Sequence, residues 1–296
     1  MGSSGTALAM SWLAIVAAIA AAALFALSTS LQHHSAAGAP EHARGGRRLM
    51  AHLLQHPRWL AGQAISVAAF VLHAAALKLG TLTVVQPVLV SGLVFALTVR
   101  ALMDHRGPPR PEVLGALVTA SGLALFLIVA RPAGSQASPD QLLAAVLLTC
   151  GAVLAFVCAR SASLARRATV RGLLLGFAAG ELSGCAAGVL KLTTDEVVQG
   201  VWAVVASWPP YVLLGFALWG LTLNQRAYHA APLSVSLPVF NMADPVAGMI
   251  FGILVFHERP AHTPMAITLE VIGLLVMAGG AVALARHTRV QAPSPL

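Results

Sequence analysis

Three acidic side chains, Glu181, Asp244 and Glu270, stand inside long apolar runs of this chain. A charge at the centre of a bilayer costs at least about 2.5 to 3.5 kcal/mol to insert, so such groups are kept where they hold a cation or exchange a proton. Asp244 is followed by Pro245, and a proline inside a helix frees the carbonyl four residues earlier, here that of Asn241. Asn241, Asp244 and that carbonyl make a compact polar set. His73 and Asn224 add polar side chains where the simplest lipid-facing choice is Leu or Ala, and Gln63, Gln86 and Gln225 add amides suited to reading a polar substrate or bridging helices. Lys78, Lys191, Arg100 and Arg226 fall near expected helix ends, where long basic side chains snorkel to the interface.

Apolar helices must position these groups. Over 296 residues the composition is 58% apolar and 9% charged, with a mean hydropathy of +0.81, which a water-facing surface cannot accommodate. Nine stretches have the length and apolarity of a spanning helix: 9–31, 57–79, 81–103, 111–130, 141–159, 170–191, 209–229, 232–256 and 264–285. Glu181 then lies halfway along the sixth, Asp244 halfway along the eighth and Glu270 in the outer third of the ninth. Continuous runs, without period-two alternation, imply helices and not barrel strands. Residues 32–56 form a loop rich in His, Arg and Gly, residues 131–140 a Pro-Gly-Ser connection, and 192–208 an interfacial segment anchored by Trp202 and Trp208.

Lysine and arginine divide unevenly between the two faces of this arrangement. Fourteen fall on one side, at 44, 47, 48, 58, 100, 106, 110, 160, 166, 167, 171, 226, 286 and 289, and four on the other, at 78, 131, 191 and 259. Positive loops stay in the cytoplasm, so the N-terminus is expected outside and the C-terminus inside, in the cell membrane. The first run lacks a basic leader region and is expected to be a retained helix, not a cleaved signal. Met1-Gly2 with Thr6 fits a myristoylation pattern but reads as a short tail.

Shifted by 151 positions, the chain overlays itself. Ala76, Leu82, Val84, Pro87 and Val88 fall on Ala227, Leu233, Val235, Pro238 and Val239, and Gly122-Leu123 on Gly273-Leu274; His73 falls on Asn224. Five spans separate equivalent points, so the second copy is inverted. The expected fold is an all-α integral membrane protein of nine transmembrane helices, as two inverted four-helix repeats joined by a linking helix. Residues 1–130 form the first repeat, 131–167 the link and 168–296 the second repeat. Inverted repeats mark transporters, with the working site near mid-membrane where the halves meet. Pro87, Pro238 and Pro245 are the expected helix breaks. Gly176, Gly180, Gly184 and Gly188 recur every four residues, a ridge that admits a close helix and would hold the sixth helix against the first half, leaving Glu181 beside a central cavity.

Other chemistry is poorly served. His33, His34, His42, His52 and His56 match no compact metal site, and Cys150, Cys158 and Cys185 form no CxxC pair. There is no Walker A loop, GxSxG or HExxH, so neither an enzyme nor a bound cofactor is expected. The basic residues lie in short loops without interleaved aromatics, which excludes nucleic acid.

Trp59 leading a helix, the Ala76-Leu77 to Gly80 connection, Val84 to Pro87 at a helix entry and Phe256-His257-Glu258 closing a helix together resemble the drug/metabolite transporter superfamily over residues 9–285. Within it, the long basic loop, nine spans and Asn224-Gln225-Arg226-Ala227-Tyr228 look more like the NIPA-type magnesium transporters than the ten-span EamA proteins. Where many members close the third helix with Gly-Glu, this chain has Met103-Asp104. The resemblance implies a secondary transporter moving a small solute by alternating access, with proton-coupled export foremost, a magnesium transporter as one alternative and a non-transporting scaffold as another. Substrate or coupling-ion candidates are Glu181, Asp244, Asn241, His73, Asn224, Gln225 and Glu270. The expected partners are a small-molecule or cation substrate and the lipid bilayer, with a homodimer left open.

Overall fold

A computed structural model describes residues 2–37, 54–104, 107, 109–129, 138–231, 233–258 and 263–287. Among these residues every regular element is helical. In chain order they are α1 (Gly2–Ala37), α2 (Pro57–Leu79), α3 (Leu82–Leu89), α4 (Gly92–Asp104), α5 (Arg110–Val129), α6 (Gln141–Leu164), α7 (Ala168–Gln199), α8 (Val201–Ala206), α9 (Pro209–Ala230), α10 (Leu233–Val255) and α11 (Pro264–His287). Among the described residues seven stretches are long and apolar enough to cross a bilayer: Trp12–Leu31, Pro57–Leu79, Leu82–Val99, Arg110–Val129, Gln141–Leu164, Ala168–Thr194 and Pro264–Ala283. α10 carries a shorter apolar stretch, Val239–Val255. In α9 the apolar middle is bracketed by Pro209-Pro210-Tyr211 and Asn224-Gln225-Arg226, which dilutes its hydropathy. Leu114, Leu117, Ile128, Leu142, Val153 and Leu275 point outward, as an exterior that meets hydrocarbon requires. The chain is a multi-pass helical membrane protein.

Several boundaries differ from the sequence expectation. α1 continues through 32–37, where a loop was expected, and His33 and His34 lie on helical backbone. His42 and His52 lie outside the described residues. The expected helix 81–103 is split: Pro87 sits within α3, and at Val90 and Ser91 the amides bond back three residues, to Pro87 O (3.1 Å) and Val88 O (3.0 Å), before α4 begins. Pro238 and Pro245 do not break their helix, because α10 runs unbroken from Leu233 to Val255; missing amide bonds inside a packed helix are tolerated in a membrane span. α7 extends to Gln199, well beyond the expected end at 191. It stops at Gly200, whose φ of 113° suits only glycine. α8 follows with Val201, Trp202 and Val205 exposed, in keeping with a segment lying at the interface. Asp140 caps α6 through Oδ1, which accepts from the Leu143 N–H at 2.9 Å.

α7 is the hub. In its span 72% of the residues are buried, against 28% in the spans of α2, α6 and α11. α7 packs against α6, α9 and α10; α1 lies along α2 and touches α3 and α4; α3 rests on α10; α5 and α11 run against each other. The last pair approaches backbone to backbone. A Cβ on Gly122 would strike Met277 and the Gly273 carbonyl, one on Gly273 would strike Phe126, and one on Gly280 would strike Thr119. Small residues let bilayer helices gain dispersion contacts and Cα–H bonds where lipid supplies no hydrophobic drive.

Candidate functional site

The glycine ridge of α7 sets the geometry. It packs on α10 and not, as expected, on the first half: added Cβ atoms would meet the Ser236 carbonyl from Gly176, the Phe240 carbonyl from Gly180, the Asp244 carbonyl from Gly184 and the Phe251 ring from Gly188. Positions advance together on both helices, which therefore run parallel. Glu181, one residue past Gly180, is turned away from α10. Its carboxyl lies against Gly151 of α6 and accepts from the Cys185 thiol through Oε1 at 3.2 Å. The expected position beside a central cavity is thus corrected to the α6–α7 contact, because the ridge occupies the neighbouring face.

Asp244 sits on α10 opposite Gly184, in the neighbourhood of the Ser183 side chain. Cys185 lies within electrostatic reach of both Glu181 and Asp244. The fold therefore brings Glu181, Ser183, Cys185 and Asp244 around one turn of α7, with Asn241 one turn back along α10. Among the described residues Glu181 Oε2, Asp244 Oδ1 and Asn241 Nδ2 are buried without a hydrogen-bond partner. Each is a polar atom that lost water and gained no protein replacement, costing about 1–3 kcal/mol. Gln86 on α3 is in the same condition at Nε2, and its side chain presses on Gly248, one turn from Asp244.

The remaining candidates are dispersed. His73 lies on α2 with its ring edge-on to Phe25 of α1, centroids 6.4 Å apart, and Nε2 unpartnered among the described residues. Asn224 is half-buried on α9 with Oδ1 in the same state. Gln225 lies on α9 and its side chain is outside the described set. Gln63 is half-buried on α2 and has a partner. Glu270 is buried and partnered on α11, which packs on α5 and α10. Among the described residues no three His, Cys, Asp or Glu side chains are arranged to hold a metal ion.

A second cluster was missed by sequence reasoning. Glu258, 3% exposed, follows α10 and faces the start of α3. Its Oε1 accepts from the Leu82 N–H (2.8 Å) and its Oε2 from the Thr83 N–H (2.9 Å) and hydroxyl (2.7 Å). Lys191 does not snorkel, since α7 continues past it. Its Nζ donates to Glu258 Oε1 at 2.6 Å and to the Gly80 carbonyl at 3.0 Å, and lies 4.7 Å from the Phe256 ring centroid. The turn that delivers Glu258 is constrained: His257 has a left-handed φ of 51°, and the Phe256 and Glu258 amides both bond to the Gly252 carbonyl, at 3.2 and 3.1 Å. Gly252 leaves the room the carboxylate fills. The available signals were Glu258 closing its helix in Phe256-His257-Glu258 and the lone lysine of α7.

Across nearly its whole length the chain is similar to an uncharacterized protein of Corynebacterium glutamicum. The two are 30% identical over 284 residues, covering 95% of this chain and 98% of the relative. The chain belongs to the same family as that protein. No family model matches the chain, and no solved structure does.

Proposed function

We propose that this protein is a secondary transporter of the drug/metabolite type, moving a small organic solute across the cell membrane by alternating access, with proton exchange as the coupling. The observation that carries the reading is the pair of carboxylates, Glu181 and Asp244, held around one turn of the most buried helix with an oxygen each left unpartnered among the described residues. Idle groups of this kind are selected against in hydrocarbon. A proton or a cationic solute satisfies them. The reading takes an organic solute over magnesium because Asp244 is flanked along α10 by Phe240 and Phe251, whereas magnesium calls for near-octahedral oxygen ligands.

Helix packing supports two inverted halves spanning nine times. The α1–α2 contact has its counterpart in α7–α9, and α5 meets α11 at Gly122 and Gly273, positions equivalent under the 151-residue shift. An antiparallel pair crossing at its own equivalent glycines is what a two-fold axis in the membrane plane produces. With nine spans the charge count puts the N-terminus outside.

Proteoliposomes given an imposed proton gradient and a panel of organic cations, amino acids and magnesium test this. The protein should drive one organic solute against its gradient. Glu181→Gln or Asp244→Asn should lose that active transport while retaining solute exchange. Normal gradient-driven transport by both variants would remove the carboxylates from the mechanism, and loss of exchange together with uptake of magnesium alone would replace the organic solute by the metal.

A further inference from the structure

Alternating access needs contacts between the halves that form at one end of the bundle and part when that end opens. The inference rests on the transporter reading and concerns the cluster around Glu258. Lys191 and Glu258 both belong to the second half, and the groups they dock on, Gly80, Leu82 and Thr83, belong to the first. The docking is complementary. An anion meets the free amides that begin α3, where the helix dipole favours negative charge, and a cation meets the carbonyl just before it. Since Lys191 and Glu258 are also paired with each other, parting the halves leaves a neutral pair behind and not two stranded ions. The bonds that break at this cluster are polar, so water replaces them.

Position agrees with this role. Gln86 begins the next turn of α3 inward from Leu82 and Thr83 and lies on Gly248, one turn from Asp244, while Leu82 lies beside Gly252. Separating Thr83 from Glu258 therefore loosens the α3–α10 contact that begins at Leu82 and Gly252 and reaches Gln86 and Gly248, one turn from Asp244. We infer that the Lys191–Glu258 pair is a gate, closed here on the start of α3, and that its opening admits water and solute to the α7–α10 site from the face where α2, α7 and α10 end. The basic-residue count assigns that face to the outside.

The test reads accessibility and needs no solute. In a background lacking Cys150, Cys158 and Cys185, Gln86→Cys reports on the space beneath the gate when an impermeant methanethiosulfonate is applied to either side of sealed vesicles. The closed gate should keep the thiol unreactive from the Lys191 end. Glu258→Gln should speed labelling from that end by at least about tenfold and Thr83→Val by about threefold, the change in open population that losing a single interhelical hydrogen bond gives. Lys191→Arg, which keeps the pair, should leave labelling slow. Should Glu258→Gln fail to fold, the near-isosteric Thr83→Val decides. Unchanged labelling in Thr83→Val, or a parent thiol that reacts as fast from the Lys191 end as from the other, overturns the gate. Faster labelling in a protein that moves no solute of the panel keeps the gate and overturns the transporter reading.

Discussion

Two buried carboxylate clusters in this protein are built on opposite principles. At Glu258 both oxygens are engaged, by two amides, a hydroxyl and an ammonium, and the carboxylate joins three separate stretches of chain. At Glu181 one oxygen accepts from a thiol, and Glu181 Oε2 and Asp244 Oδ1 find nothing among the described residues. A satisfied ion in a low dielectric ties structure together. An unsatisfied one marks a place where a further ligand or proton completes the set. Under the proposed function, the contrast separates a cluster that ties helices together from one that binds.

The sharpest way to break the contrast is Glu258→Ala. It strands the Lys191 ammonium and uncaps α3, and removing one partner of a buried pair costs about 3–5 kcal/mol. Thermal unfolding of the detergent-solubilised protein should drop accordingly, with part of the loss recovered when Lys191→Met is added. Equal stability of parent and Glu258→Ala would mean that the cluster ties nothing.

Next in size is the glycine ridge of α7, against which α10 and Asp244 pack. Gly184→Leu drives a side chain into the Asp244 carbonyl and Gly248, and overpacking of this kind costs about 1–3 kcal/mol or more. Gly215→Ala on α9, with nothing within 4 Å of its Cβ, should be neutral or slightly stabilising and serves as the control. Matched melting temperatures for Gly184→Leu and Gly215→Ala would show that α7 and α10 are not in close contact.

Thr83→Val removes a single hydroxyl bond to Glu258 and should cost about 0.6 kcal/mol, the average for an interhelical hydrogen bond in a bilayer. A loss several times larger in the same melting measurement would make the hydroxyl part of a cooperative network.

The smallest effect on stability belongs to the acids with unpartnered oxygens. Glu181→Gln and Asp244→Asn remove ionisation without removing a satisfied ion, so their unfolding should match or slightly exceed the parent within about 1 kcal/mol. Destabilisation on the scale of Glu258→Ala would place them with Glu258 as structural ties and dissolve the comparison.

Much of this was legible along the chain. Apolar runs of spanning length followed from composition, since hydrocarbon admits only helices or closed barrels, and the acids at 181 and 244 stood out because insertion penalises them wherever they point. The glycines at four-residue spacing announced a close helix contact, but not whose: any helix with a smooth face satisfies the spacing, and α10 was chosen over the first half only by the folded arrangement. The same choice turned Glu181 toward Gly151.

Local pattern determined the spans, the buried charges and the close-packing ridge, because each depends on a residue and its near neighbours in one element. The roles of Lys191 and Glu258 depended on chain 67 residues apart, and those of Glu258 and Thr83 on chain 175 residues apart. A lysine expected at a helix end became internal when α7 ran on to Gln199, and an acid after α10 became the cap of α3. Hydrogen bonds reach only about 3 Å, so partnership between such distant residues is decided when helices pack and carries no periodicity for a sequence to display.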